Sequence, residues 1–199
     1  MNPPSIEQHP LQPFLPSNTK VLFLGSFPPQ QKRWCMPFFY PNYINDHWRI
    51  TGDVFFGDKD YFVDSAHRTF RLDAIKAFLL ERGIGYYDTA SAVRRLKANA
   101  SDKYLEIVTP TDIPQLTQGL CQLTTIVTTG ELATLTLCSS LSLDAIPKVN
   151  ERLLIPSLSQ FHRHEIYLCR LPSSSRAYPL AFDKKSEAYR QMYALAGML

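Results

Sequence analysis

No stretch of this 199-residue chain approaches the ~20 consecutive apolar residues that a membrane-spanning helix needs. The proline-punctuated opening, MNPPSIEQHPLQPFLP, has neither the basic segment nor the apolar segment of a signal peptide, so a cytoplasmic protein with no membrane partner is expected. Cysteine is sparse: Cys35, Cys121, Cys138 and Cys169 stand far apart with no C-x-x-C pair, which argues against a zinc knuckle or a disulfide framework. His162 and His164 are the one close histidine pair, and alternation on a strand or loop more often serves solubility or core bonding than ligation, so no metal is expected. The chain also lacks a G-x-x-x-x-G-K-[ST] loop and a dinucleotide glycine fingerprint, which removes the usual phosphate-cofactor readings. No internal repeat or low-complexity tract is present. A formal charge of +3 and pI near 8.6 permit a nucleic-acid partner but are far weaker than a basic tail.

What is present is ordinary globular material. With 45% hydrophobic and 20% charged residues, residues 1–199 are expected to form one domain with a sizeable core, residues 1–20 being an extended arm on its surface. The informative stretch is residues 21–57, VLFLGSFPPQQKRWCMPFFYPNYINDHWRITGDVFFG. Its apolar start, residues 21–24, suits a strand covered on both faces, and Gly25-Ser26-Phe27-Pro28-Pro29 ends that strand because two prolines remove ladder donors. Between Trp34 and Phe62 lie ten of the chain's 24 aromatic residues and both tryptophans. Asn42, Asn45, Asp46, His47, Arg33 and Arg49 are interleaved with them. Flat apolar faces beside amide and charged groups suit a flat, polar-edged ligand such as a nucleobase; an aromatic core segment with surface polar residues has the same composition.

Further along, Leu72, Ile75 and Leu79 recur at helical spacing and Gly83 follows as a C-cap, so residues 71–82 are expected to be a helix. Residues 84–87 read as a second strand. Residues 91–103, with Arg94, Arg95, Lys97, Asn99, Ser101 and Lys103, read as a polar basic loop that faces phosphate or solvent. Thr111 looks like the cap of a helix carrying Ile113, Leu116 and Leu120. Residues 125–127 give a third strand, residues 131–138 a helix, residues 165–170 a fourth strand, and residues 184–195 a last helix with Tyr189, Met192 and Tyr193 inward. Asn45 or Asp46 is a candidate cap for a helix near residues 45–56.

Strands alternating with helices imply βαβ crossovers, hence a three-layer α/β/α fold with a mainly parallel central sheet of about four strands. In such sheets ligands sit beyond the carboxyl ends of the strands. The first strand delivers residues 25–29 to that edge and the last delivers residues 171–179, LPSSSRAYP, so the two can form one cleft. Ser173, Ser174 and Ser175 offer hydroxyls and backbone N–H groups suited to phosphate, and Arg176 can contact phosphate or enter a groove.

These three stretches, VLFLGSFPP, FFYPNYINDHW and LPSSSRAY, resemble in order the motifs of the uracil-DNA glycosylase superfamily, most nearly its hypoxanthine-DNA glycosylase branch. The resemblance covers most of the chain. It implies a monofunctional DNA glycosylase without metal or organic cofactor, acting as a monomer on a deaminated base in DNA repair, uracil or hypoxanthine. Gly25, Ser26, Phe27 and Pro28 resemble the turn that approaches the extruded base, and residues 171–176 the loop that grips DNA. In many members the first turn carries an Asp or Asn where Phe27 stands, and the second begins with His where Leu171 stands. The hypoxanthine branch instead has an Asn before an aromatic-Trp pair. Anchoring on Trp48 makes Asn45 that residue, whereas anchoring on Pro41 leaves Asn42 and Asp46 as rivals.

The chemistry accounts for these residue types. Extruding a base costs a few kcal/mol, which stacking on Phe39 or Tyr40 and phosphate contacts at the serine loop can offset. Cleavage places positive charge on the sugar and negative charge on the base, which a carboxamide or the Ser26 and Phe27 amides can stabilise. A non-catalytic nucleic-acid-binding module on the same fold is the competing expectation, because Phe27 and Leu171 carry no chemistry.

Overall fold

A computed structural model describes residues 4–97 and 102–199. In chain order the elements are strand β1 (Ile6–Gln8), β2 (Val21–Gly25), helix α1 (His47–Phe56), β3 (Val63–Asp64), β4 (Thr69–Phe70), α2 (Leu72–Arg82), β5 (Ile84–Asp88) and β6 (Ala90–Arg95). There follow β7 (Leu105–Pro110), α3 (Ile113–Thr117), β8 (Thr125–Thr129), α4 (Glu131–Ser140), β9 (Arg152–Leu154), α5 (Pro156–His162), β10 (Tyr167–Leu171) and α6 (Phe182–Leu195). The central sheet has the order β5-β2-β8-β10-β9. Its first four strands are parallel and β9 closes one edge antiparallel to β10.

The period of two along β2 explains the layering. Val21 and Phe23 enter a core with Trp48, Ile75, Tyr86, Tyr189 and Tyr193, from α1, α2, β5 and α6. Leu22 and Leu24 enter the opposite core with Ile113, Leu137, Leu158 and Leu168, from α3, α4, α5 and β10. A strand buried on both faces must be apolar throughout, as VLFL is. Each fully buried aliphatic side chain contributes about 2 kcal/mol. The fold is therefore the three-layer α/β/α arrangement, with five strands in the sheet where four are expected. The missed strand, β9, is only three residues long, Arg-Leu-Leu, with both ends exposed, too short for its two leucines to set a strand period.

Other differences bear on the site. The expected basic loop is in part a second sheet, β1-β6-β7, all antiparallel; Asn99 and Ser101 lie outside the described residues. Arg95 is buried there because Glu7 of β1 takes its guanidinium through two hydrogen bonds of 3.1 Å. The N-terminal arm is thus part of the fold: it supplies β1, and Phe14 exchanges backbone bonds with Tyr86. Asp112, not Thr111, caps α3 by accepting from the Gln115 N–H at 3.0 Å; the Thr111 hydroxyl donates instead to the Asp88 carbonyl. α5, introduced by Pro156 at its first position, has no expected counterpart.

Candidate functional site

Register fixes what the sheet presents at its carboxyl edge. Gly25 pairs with Asp88, Leu24 with Thr128, and Thr129 with Leu171, so four strand ends stop at one level. Above them opens a cleft of about 670 Å³, within the size range of small-ligand sites. It is lined by the turn after β2, by the loop before α1 and by the loop after β10. The three stretches singled out in the sequence meet here, although more than a hundred residues separate the first from the last.

The first turn is held from below. Phe27 packs on Ala90, Val93, Leu105 and Ile107 of the antiparallel sheet, and the Arg95 guanidinium donates to the Pro28 carbonyl at 3.2 Å. That explains a phenylalanine in this position: its ring anchors the turn, and the residue also lines the cleft. Gly25 is required by crowding, since a Cβ there would run into the Asp88 carboxylate. Asp88 lines the cleft wall and is gripped by His9 of the arm, whose Nε2 lies 2.8 Å from Oδ2. An ionised carboxylate only accepts, so Nε2 carries the proton in this bond. The Ser26 hydroxyl donates to Asp102 at 2.9 Å. Burial pushes the Asp102 carboxyl above its ordinary range, the Ser26 bond opposes this, and the nearby Asp88 charge adds to it.

The loop before α1 is an aromatic stack. Trp48 is fully buried and donates from Nε1 to the Phe39 carbonyl. Tyr40 takes a left-handed backbone, φ 48°, a conformation that costs a non-glycine residue about 1 kcal/mol. Its ring lies flat on His47 at 3.7 Å, and its hydroxyl meets Thr129 at 2.7 Å. One face of Tyr40 is therefore already covered. Phe39 is buried among Phe38, Tyr86 and Tyr87 and lines the cleft with only 3% of its surface exposed. Burial drives His47 down to about 3, so the ring beneath Tyr40 is neutral.

The three polar candidates separate by position. Asn45 lines the cleft, and its Oδ1 accepts from the His47 N–H at 2.9 Å. It supplies the cap of α1 from one residue outside, because Asp46 at the cap position makes no capping bond. Asn42 also lines the cleft, with Oδ1 accepting from the Ile44 N–H at 3.1 Å. Asp46 does not line it. Its carboxylate is buried, takes the Arg176 Nε–H at 2.8 Å and lies 4.0 Å from the Lys185 ammonium.

That network shapes the serine loop. Asp46 donates its own N–H to the Ser174 carbonyl at 3.1 Å, and Lys185 of α6 donates to the Ser175 carbonyl at 2.7 Å. Ser174 is buried, 1% exposed, so its hydroxyl is not presented to phosphate. Ser173 and Ser175 accept from the N–H groups of Ser175 and Ala177, turns that use their lone pairs but leave the hydroxyl protons free to donate. Arg176 keeps about half its side-chain surface exposed despite its pairing. The charged lining residues are Asp88 and Asp102, with the buried Arg95 near Asp102 and paired to Glu7, and the exposed Arg33 and Arg176. Sequence reasoning missed Asp88, Asp102 and His9. Asp88 sits one residue beyond an expected strand that lies beside the first, and that register is the signal that points to it.

Among the described residues no group of three His, Cys, Asp or Glu is disposed to hold a metal. His162 faces the Thr117 hydroxyl and His164 the Leu123 carbonyl. No described helix is long and apolar enough to cross a membrane. No family model matches the chain, and no curated protein matches it. Among solved structures it is similar to the solution NMR structure of a Methanosarcina acetivorans protein described as a candidate uracil DNA glycosylase, with 19% identity over 97% of this chain and 99% of that one, and a TM-score of 0.63. The two share a fold.

Proposed function

We propose that the chain, as one unit over residues 1–199, is a monofunctional DNA N-glycosylase of the uracil-DNA glycosylase superfamily, nearest its hypoxanthine branch. It hydrolyses the glycosidic bond of a flipped deaminated base, uracil or hypoxanthine, as a monomer and without cofactor. One observation carries this reading: the three motif-bearing stretches border a single cleft at the carboxyl edge of the sheet. The neighbour in fold supports it. A base fits the aromatic and acidic interior, and phosphates fit the Arg33 and Arg176 side.

In this reading Asn45, the candidate in the cleft whose place matches the hypoxanthine branch, donates from its amide to the base or to the water, its oxygen being engaged at α1. The N–H groups of the turn at Ser26 and Phe27 face negative charge developing on the base. The serine loop positions the backbone. A second reading, a binding module of the same fold, draws support from Phe27 and Leu171, which are packed apolar residues where many superfamily members carry polar ones. Incubation with oligonucleotides carrying uracil, hypoxanthine or xanthine, followed by alkali cleavage at abasic sites, separates the two. Incision is expected; tight binding without incision identifies the module.

A further inference from the structure

Hydrolysis of a glycosidic bond needs an acceptor for a proton of the attacking water. The residues that the motifs nominate are poor acceptors in this geometry. Asn45 and Asn42 have their amide oxygens on the N–H groups of His47 and Ile44, and an amide is in any case a weak base. Asp46 is held outside the cleft by Arg176 and Lys185. Phe27 has no polar atom. Two carboxylates remain on the cleft wall, Asp88 and Asp102. Asp102 already takes the Ser26 hydroxyl, and burial favours its neutral form.

Asp88 differs in how it is held. It ends β5 directly beside Gly25, close enough that any side chain at that glycine would strike it. Its Oδ2 is fixed at 2.8 Å by His9, a residue of the arm almost wholly buried against Tyr87 and Phe27. The His9 Nδ1 is in turn 2.8 Å from the Leu11 carbonyl and 3.2 Å from the Leu11 N–H. A carboxylate oriented by a buried imidazole that is itself oriented by backbone is the arrangement by which proteins fix a proton acceptor.

Resting on the glycosylase reading, we infer that Asp88 is a catalytic residue that orients and deprotonates the attacking water, and that His9 is its positioning residue. The carboxylate absent from the first turn is thus supplied by the neighbouring strand. In the step, the water oxygen bonds to the anomeric carbon as the carbon–nitrogen bond breaks. The bond pair leaves on the base, one water proton passes to Asp88 Oδ1, and the departing base takes a proton from solvent.

The test begins with wild-type protein on the oligonucleotide it incises. Absence of incision on all three lesions defeats the glycosylase reading, and this inference with it. Given incision, Asp88→Asn keeps the acceptor for His9 but cannot take a proton. Its single-turnover rate should fall at least a hundredfold while affinity for lesion DNA stays within about threefold. A folded Asp88→Asn protein that cleaves within threefold of wild type overturns the inference and leaves the glycosylase reading intact. Should that variant misfold, Asp88→Ser decides: added formate should restore its rate in a saturable way, and no restoration counts against the assignment. His9→Ala should lower the rate constant without changing affinity, and His9→Gln, which can still donate, should recover part of it. Equal losses in the two His9 variants would reduce His9 to a packing residue.

Discussion

Asn45 illustrates how one side chain can carry two roles that mutation can separate. Its oxygen caps α1 through the His47 N–H, and removing such a cap costs about 1 kcal/mol. Its amide protons are what it offers the cleft. Asn45→Asp keeps the capping oxygen and loses the donor, so it should melt like wild type yet lose on the order of a hundredfold in single-turnover rate; Asn45→Ala should lose the rate and the ~1 kcal/mol together. Full activity in a folded Asn45→Ala, with loss in Asn42→Ala instead, would move the role to Asn42. The sequence pointed to this residue because an asparagine three places before Trp48 is a local pattern. It could not point to His9 or Asp88 in the same way. Their meeting depends on the N-terminal arm folding over β5, a contact that joins residues 79 positions apart and leaves no periodicity in the chain.

At the scale of elements, the parallel strands were readable because burial on both faces demands the unbroken apolar runs of residues 21–24 and 125–127. The antiparallel sheet was not. β6 places Arg94 and Arg95 in its ladder, and Arg95 is buried against Glu7 on β1 and the Pro28 carbonyl, so a charge that reads as a solvated loop is in fact an internal pair. The serine loop shows the same hiding of partners. LPSSSRAY reads as a phosphate grip, yet its shape is set from α6 by Lys185 and from the cap of α1 by Asp46. Two substitutions separate gripping from shaping. Arg176→Ala should weaken DNA binding and reduce the slope of log affinity against log salt by about one unit, because one phosphate contact is worth about one counterion, and should cost about 1 kcal/mol of stability, because the buried Asp46 carboxylate loses its 2.8 Å partner. Asp46→Ala strands the buried Lys185 ammonium, 2% exposed, and should cost about 3 kcal/mol of stability. Affinity titrations across a salt series and urea unfolding read the two effects independently. An unchanged salt slope in Arg176→Ala would remove this loop from the DNA interface.

The whole molecule is organised around an aromatic core, and the pocket this core makes for His47 offers a charge no partner among the described residues. The ring is fully buried between Tyr40, Phe23 and Trp48. Its Nε2 meets the Tyr86 hydroxyl at 2.8 Å, while Nδ1 has no partner among the described residues. Protonation would add a charge and an N–H with nowhere to donate, which is why burial lowers the ring from 6.5 to about 3. The sign follows directly. Between pH 6.5 and about 3 the unfolded chain binds this proton and the folded chain does not, so stability is fully present above 6.5 and is lost as pH falls. The slope is ~1.4 kcal/mol per pH unit and the loss amounts to about 5 kcal/mol across the window. A domain with 5 to 15 kcal/mol in total feels that strongly. Urea unfolding at intervals from pH 7 to pH 4 should show stability falling with acid. In His47→Gln, which can still bond Tyr86, the slope should be shallower by one proton, at some loss of stability near pH 7 from disturbed packing. Parallel slopes in the two proteins would mean that His47 does not couple acid to unfolding, and that the stack beneath Tyr40 accepts a charge which this geometry says it should exclude.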